Sequence, residues 1–167
     1  MMSLVATKQA VPPVVDERTR LLILGSLPGD ASLRAAQYYA HPRNAFWRLI
    51  GAVIGADLIT VPYEARLETL RTHGVGLWDV IASAERRGSL DAAIRNPQVA
   101  DLIALTNRLP ALRAVAFNGG KAARAGRRML EGATTAELID LPSSSPAHAR
   151  PFEEKLGRWS VLNACLD

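Results

Sequence analysis

The sequence has almost none of the residues that build disulfide frameworks and cysteine-based metal sites. It contains a single cysteine, Cys165, among 167 residues. One thiol excludes an internal disulfide and a four-cysteine zinc or iron–sulfur site, and we expect it to be a small buried hydrophobe. No apolar run approaches the roughly 20 residues that span a bilayer, and residues 1–15 lack the charged-then-apolar order of a signal peptide. We therefore expect a cytoplasmic protein with no membrane association.

Low-complexity tracts and internal repeats are also missing, and only 5% of the residues are aromatic. With 49% hydrophobic residues, the chain is long enough for one domain with one core. We expect that domain over residues 20–167, and a partly flexible N-terminal arm over residues 1–19. The 20 Lys and Arg exceed the 16 Asp and Glu by a net charge of +4. This excess is compatible with a polyanionic partner, but it also follows from an Ala- and Arg-rich composition.

Short apolar runs that end in turn residues predict four buried strands. They cover residues 20–25, 74–81, 113–118 and 136–141. Between and after them, apolar residues recur three and four positions apart, which is typical of amphipathic helices. The predicted helices cover residues 45–54, 63–72, 98–109, 122–130 and 152–166. This alternation favours an α/β fold with helices on both faces of a parallel sheet, in which ligands bind beyond the carboxyl ends of the strands.

Four of the nine aromatic residues stand close together just before a predicted helix. They are Tyr38, Tyr39, Phe46 and Trp47. Such a cluster suits a slot that stacks a planar ligand, with Asn44 as the helix N-cap. A hydrophobic staple with Trp47 in the core explains the same pattern, and both interpretations can hold together.

The loops after the other strands are polar as well. Asp79 either caps a helix or accepts hydrogen bonds from a ligand. Asn118 and the Gly-Gly-Lys after it resemble a phosphate cradle but lack the full order of a nucleotide-binding P-loop. Residues 142–150 contain hydroxyls, an imidazole and a guanidinium, which are groups that bind DNA phosphates. The alternative is a plain Ser/Pro turn. The sequence contains no Gly-x-Ser-x-Gly elbow, the motif that would indicate a serine hydrolase.

Five motifs follow one another from about residue 20 to the C-terminus. They are Gly25-Ser26-Leu27-Pro28-Gly29, Tyr39-Ala40-His41-Pro42-Arg43-Asn44-Ala45-Phe46-Trp47, Gly74-Val75-Gly76-Leu77-Trp78-Asp79-Val80, Phe117-Asn118-Gly119-Gly120-Lys121-Ala122 and Leu141-Pro142-Ser143-Ser144-Ser145-Pro146. Their order and spacing resemble the uracil-DNA glycosylase superfamily, and most closely its hypoxanthine-DNA (deoxyinosine) glycosylase branch. The resemblance implies a three-layer α/β/α sandwich around a four-stranded parallel sheet.

The resemblance also implies which residues act. In the first motif of the superfamily, an Asp or Asn two residues after the glycine activates or positions water, and Leu27 stands there in this chain. In the hypoxanthine branch that duty is attributed to an Asn of the His-Pro-x-Asn-x-Phe-Trp segment, which corresponds to Asn44. Ser143 replaces the second-motif histidine of uracil-specific members, and Ala147 stands where an apolar wedge fills the space of the flipped base. Leu27 and Ser143 argue against strong uracil-type activity.

The implied substrate is DNA that contains a deaminated base, which must be flipped out of the duplex before its glycosidic bond can be cut. The predicted base-binding residues are Phe46, Tyr39, Asp79, Ser26 and Leu27. The predicted DNA-binding residues are Gly25, Pro28, Gly29, Lys121, Ser143, Ser144, Ser145, Pro146, Ala147, His148 and Arg150. No metal or organic cofactor is expected. Without a convincing lysine nucleophile, we predict a monofunctional, monomeric DNA-repair enzyme that leaves an abasic site.

Two other functions stay open at this point. One is a mismatch-specific uracil/thymine-DNA glycosylase. The other is a lesion-binding protein that kept the fold and lost catalysis. Leu27 favours the binding protein, because it cannot activate water, whereas Asn44 and Phe46 favour an enzyme.

Overall fold

A computed structural model describes residues 6–9, 11–27, 29–86 and 94–167. The strands in this part of the chain are β1 (Ala6–Gln9), β2 (Leu21–Gly25), β3 (Val75–Asp79), β4 (Ile81–Arg86), β5 (Ile94–Val99), β6 (Ala114–Asn118) and β7 (Glu137–Leu141). The helices are α1 (Asp30–Ala35), α2 (Phe46–Ile54), α3 (Tyr63–Thr72), α4 (Leu102–Asn107), α5 (Gly120–Leu130), α6 (Phe152–Trp159) and α7 (Asn163–Leu166). A 3-10 turn, Ser160–Leu162, joins α6 to α7.

The central sheet has the strand order β3-β2-β6-β7, and every neighbouring pair is parallel. Leu21, at the start of β2, lies opposite Val75 on one side and Ala114 on the other. This register brings the carboxyl ends of the four strands to the same edge. The prediction of a four-stranded parallel sheet is confirmed.

Side chains of the sheet alternate between two apolar layers. On β2, Leu21 and Ile23 face the layer built with α2, α3 and α6, whereas Leu22 and Leu24 face the layer built with α4 and α5. All four are completely buried. Because successive residues of a strand point to opposite faces, a continuous apolar run is what a strand covered on both sides requires. The three-layer sandwich is confirmed.

A second, antiparallel sheet in the order β1-β4-β5 was not predicted. It adjoins the carboxyl edge of the central sheet, since Val80 N donates to Gly25 O at 2.8 Å and Ile81 N donates to Ser26 O at 2.9 Å. β5 pairs with β4 through residue 99. The predicted helix over residues 98–109 is therefore wrong at its start: α4 begins only at Leu102, after Asp101, whose carboxylate caps Ala104 N at 3.0 Å.

The other predicted helices agree closely with the structure, except at the C-terminus. There the predicted helix over residues 152–166 is interrupted, because α6 ends at Trp159 and the 3-10 turn precedes α7. Residues 11–14, within the predicted arm, lie against the core: Val14 and Leu77 exchange backbone hydrogen bonds of 2.9 Å. Among the described residues, no helix is both long and apolar enough to cross a membrane.

Two helical glycines test this packing. A Cβ at Gly126 would lie 2.3 Å from Cε1 of the buried Phe117, whereas a Cβ at Gly157 would meet nothing within 4 Å beyond its own helix. Gly157→Ala should raise the free energy of unfolding by about 0.5–1 kcal/mol, because alanine loses less backbone conformational entropy than glycine when the chain folds into a helix. Gly126→Ala should lower it by about 1–3 kcal/mol, because the ring must move. Urea denaturation measures both, and effects of the same sign would contradict the packing around Phe117.

Candidate active site

The carboxyl edge of the central sheet brings together the ends of strands that lie far apart in sequence. Gly25 lies opposite Asp79, and Asn118 lies opposite Leu141. Asp79 and Asn118 are 3% and 9% exposed, so their polar groups are withdrawn from bulk water. A Cβ at Gly25 would lie 2.8 Å from Asp79 Oδ1 and 3.2 Å from Tyr39 Oη. Only glycine permits this approach, and the predicted convergence of loops at one edge is confirmed.

Asn118 connects the loops around this edge. Its Oδ1 accepts a hydrogen bond from Ser144 N at 2.8 Å, and its Nδ2 donates to Ser144 Oγ at 2.9 Å and to Tyr39 Oη at 3.2 Å. Because a backbone N–H can only donate, the first contact determines which atom of the amide is oxygen. The sequence around Asn118 suggests only a phosphate cradle and does not predict this role. The one signal in the sequence for this role is that Asn118, an amide, ends an apolar run predicted to be a buried strand.

Tyr39 and Phe46 form a stacked pair, with ring centroids 3.9 Å apart and planes at 21°. Phe46 is completely buried and also meets the edge of Trp159, with centroids 5.9 Å apart. Tyr39 is only partly buried, and its carbonyl accepts a hydrogen bond from Trp47 Nε1 at 3.2 Å. The two rings are thus ordered from the core outward, with Tyr39 outermost. Trp47 lies in the core, as predicted.

The N-cap of α2 is Ala45, which makes no side-chain cap hydrogen bond, so the prediction that Asn44 is the N-cap is wrong by one residue. Asn44 lies just before it, and its Oδ1 accepts a hydrogen bond from Phe46 N at 3.0 Å, as in an Asx turn. The next residue, Ala45, donates its N–H to Ser144 O at 3.0 Å. Among the described residues, Nδ2 of Asn44 has no hydrogen-bond partner. The amide is therefore held by its oxygen while its donor group stays available. His41 lies outside this arrangement: it is exposed, and its Nδ1 accepts from Arg43 N at 3.1 Å.

The serine loop, residues 142–146, lies beside Asn118. Ser144 is 1% exposed, and Ser145 N donates to Ser143 Oγ at 3.1 Å. Gly119 makes the close approach of α5 possible, since its φ is +101° and a Cβ there would lie 3.1 Å from Ser143 Cβ. Beyond Ser144 the chain is progressively exposed. Residues 146–150 are all exposed, and they include the predicted contacts Pro146, Ala147, His148 and Arg150.

The remaining predicted residues lie around the same edge. Ser26 and Leu27 are buried, and Leu27 packs against Ile81. Gly29 immediately precedes α1, and Lys121 is partly buried in the first turn of α5. Pro28 is outside the described residues.

The sequence analysis missed two residues of α6 that hold the serine loop. Lys155 Nζ donates to Ser145 O at 3.2 Å, and Trp159 Nε1 donates to Pro142 O at 3.0 Å. Lys155 is 4% exposed, and this burial lowers the pKa of its ammonium. Sequence patterns do not reveal such a lysine, because charged residues in an amphipathic helix normally face solvent.

Tyr38, next to the stacked pair, serves the core. Its hydroxyl donates to the carbonyls of Val11 and Pro12, and burial, together with the charge of Asp79, raises the pKa of that hydroxyl. In the ranges that the structure describes, no three His, Cys, Asp or Glu side chains cluster closely enough to hold a metal ion.

Comparison with known proteins identifies the family. Residues 12–165 match the family model of the uracil DNA glycosylase superfamily. The chain is 42% identical over 153 residues to a protein of Methanosarcina barkeri named hypoxanthine DNA glycosylase, which covers 92% of this chain and 96% of that protein. A protein of the same name from Methanosarcina acetivorans is 41% identical over 155 residues, or 93% of this chain and 97% of that protein.

A solved structure agrees with these relatives. The solution NMR structure of a Methanosarcina acetivorans protein, described there as a uracil DNA glycosylase, superposes with a TM-score of 0.87 at 41% identity. The match covers 96% of this chain and 99% of that one. With a family model matching nearly the whole chain and the expected sheet and loops in place, the chain belongs to the uracil-DNA glycosylase superfamily.

Proposed function

We propose that this protein is a monofunctional DNA glycosylase that removes hypoxanthine from DNA and leaves an abasic site. The observation that carries the proposal is the convergence of an aromatic stack, a buried carboxylate and an asparagine held by a backbone hydrogen bond at one sheet edge. Relatives about 42% identical over almost the whole chain bear the name hypoxanthine DNA glycosylase, and they support the choice of base.

The flipped base stacks on Tyr39, with Phe46 as the support behind it. Phe46 is completely buried and has one face against Tyr39, so a ligand reaches the stack from the Tyr39 side. Stacking on an aromatic ring contributes about 1–3 kcal/mol per base and tolerates different bases. The stack therefore provides affinity, and discrimination between bases has to come from polar groups.

Asp79 is the polar group proposed to read the base. It lies at the end of β3, opposite Gly25, and Gly25 leaves room beside its carboxylate. Hypoxanthine presents an N1–H donor next to the O6 acceptor. A carboxylate accepts the N1–H, and backbone amides of the Gly25–Leu27 turn are the candidates to donate to O6.

Asn44 is the proposed catalytic residue. Cleavage breaks the bond between C1′ and the base, the electron pair leaves with the base, and the sugar acquires oxocarbenium character before water adds at C1′. The departing base takes up a proton as the water loses one. This chemistry needs a placed water more than a strong base. The side-chain amide of Asn44 suits that task, since its oxygen is held by Phe46 N and its Nδ2 is available.

The DNA backbone is proposed to lie along the serine loop and the start of α5. The hydroxyls of Ser143 and Ser145, with Lys121 and Arg150, are groups that bind phosphates. The other predicted contacts are Gly25, Pro28, Gly29, Ser144 and residues 146–148. Arg150 lies 3.7 Å from Glu154 in an exposed pair, which is weak enough to exchange its partner for a phosphate.

Uracil is the alternative substrate, because the solved relative is described as a uracil DNA glycosylase. Leu27 argues against it, since this residue is buried against Ile81 and leaves the first motif without an acid or amide.

An excision panel tests the substrate. Duplexes that contain hypoxanthine, xanthine, uracil or a thymine mismatch are incubated with the protein, and abasic sites are revealed by alkali cleavage. Hypoxanthine should be released fastest. Faster release of uracil would establish the alternative, and lesion binding with no release of any base under single-turnover conditions would leave only the lesion-binding protein.

Asn44 variants test the catalytic assignment. Asn44→Ala should reduce single-turnover excision by about 10²-fold or more, as expected when a group that acts in the transition state is lost, and spare DNA binding. It should also cost about 1 kcal/mol of stability through the lost hydrogen bond from Phe46 N. Asn44→Ser retains an oxygen that can accept this hydrogen bond, so it should fold normally and still fail in excision. Asn107→Ala, at the exposed end of α4, is the control. Normal turnover by Asn44→Ser would refute the assignment.

Tyr39 variants test the stacking surface. Tyr39→Leu removes the ring and should weaken binding of a hypoxanthine duplex by about 5- to 100-fold, the equivalent of one lost base stack. Tyr39→Phe retains the ring and loses only the hydroxyl that meets Asn118, so its affinity should stay close to that of the wild type. Equal losses in the two variants would assign the effect to the hydroxyl instead.

A further inference from the structure

Lys155 is a buried cation that the proposed chemistry does not use. It lies in α6, is 4% exposed, and directs Nζ to Ser145 O at 3.2 Å. No carboxylate of the described residues lies within salt-bridge distance of it. Burial of an ammonium group without a carboxylate partner is costly. The core gains little from a lysine here, so the position calls for a functional explanation.

The neighbouring acids are engaged elsewhere. A surface cavity of about 280 Å³ behind the serine loop is lined by Lys155 and by Asp140, Glu154, His148, Arg150 and Arg158 among others. Asp140 pairs with Arg127 at 2.8 Å, and Glu154 pairs with Arg150 at 3.7 Å. The ammonium of Lys155 is therefore turned to the loop carbonyl rather than to a counter-ion.

That carbonyl belongs to a loop that is held at several points. Trp159 donates to Pro142 O, Asn118 bonds N and Oγ of Ser144, and Ala45 donates to Ser144 O. Ser145 O accepts from His148 N at 3.0 Å as well as from Lys155. Lys155 is the charged member of this set, and hydrogen bonds from charged groups are the stronger kind.

We propose that Lys155 is a positioning residue for the DNA phosphate that the serine loop binds. This inference rests on the proposed function. By holding Ser145 O from behind, the ammonium orients the loop so that the side-chain hydroxyls of Ser143 and Ser145 face a phosphate oxygen on the outer side. Lys155 itself does not reach the phosphate, because the residue is 4% exposed and its Nζ donates to Ser145 O. The bound phosphate, in turn, supplies a negative charge near the buried ammonium, which has no carboxylate partner among the described residues.

The test measures equilibrium binding of Lys155→Met to two duplexes of one sequence, with and without a single deoxyinosine. Methionine retains the shape and loses the charge. Affinity for both duplexes should fall about tenfold, the equivalent of one charge-assisted hydrogen bond. The unfolding midpoint should stay the same or rise, because the cost of the buried charge disappears. Arg158→Met, an exposed cation one turn later in the same helix, removes the same charge and should bind within twofold of the wild type.

The dependence of affinity on salt separates positioning from direct contact. Loss of a cationic side chain that touches a phosphate makes the negative slope of log K against log salt less steep by about 0.9, and Arg150→Met should display that change. Lys155→Met should retain the wild-type slope. Binding by Lys155→Met within twofold of the wild type, a slope less steep by about 0.9, or a fall in stability that matches the lost affinity would each overturn the proposal.

If Lys155→Met does not fold, Lys155→Arg takes its place. Arginine retains the charge and the hydrogen-bond donors, so this variant should retain the salt slope and most of the affinity for DNA. A folded Lys155→Arg variant with tenfold lower affinity would contradict positioning through Ser145 O. Failure of the proposed function has a different signature. In that case the wild-type protein neither prefers nor cleaves the deoxyinosine duplex, whatever the Lys155 variants do.

Discussion

The candidate site depends on one buried amide. Asn118 bonds Ser144 through both ends of its side chain and reaches the hydroxyl of Tyr39. Its neutral, two-sided side chain suits this position, because it must accept from a backbone N–H and donate to two hydroxyls at once. A buried polar network of this kind is stable only when every member is satisfied. Asn118, at the end of β6, therefore joins the Tyr39–Phe46 stack to the serine loop.

The aromatic stack extends this arrangement into the core. Phe46 packs between Tyr39 and Trp159, and Trp159 also donates to the carbonyl of Pro142 in the serine loop. The C-terminal helix α6 thus supports both the ring beneath the proposed base site and the loop proposed to hold the phosphate. Displacement of α6 would therefore disturb both the ring and the loop. Residues proposed to bind DNA from separate loops thus depend on one packed layer.

The first motif illustrates how the site differs from the usual pattern of its superfamily. Leu27 is buried against Ile81, at the junction with the second sheet, so this position contributes packing in place of an acid or amide. The proposed catalytic amide is Asn44 instead, and the next residue, Ala45, is tied to Ser144 O. The loop that precedes α2 is thereby connected to the same serine loop as Asn118.

The sequence by itself determined the parallel sheet, its two covered faces, most helix bounds and the motifs at the strand ends, because these follow from local periodicity and turn chemistry. It did not reveal the second sheet, in which Ala6 of β1 pairs with Arg86 of β4, because such pairing depends on partners distant in sequence. Only the tertiary structure decided that Tyr39 lies outside Phe46, that Asn118 joins two loops, and that Lys155 is buried beneath the serine loop. Burial and hydrogen-bond partners are properties of the packed chain, and no local pattern encodes them.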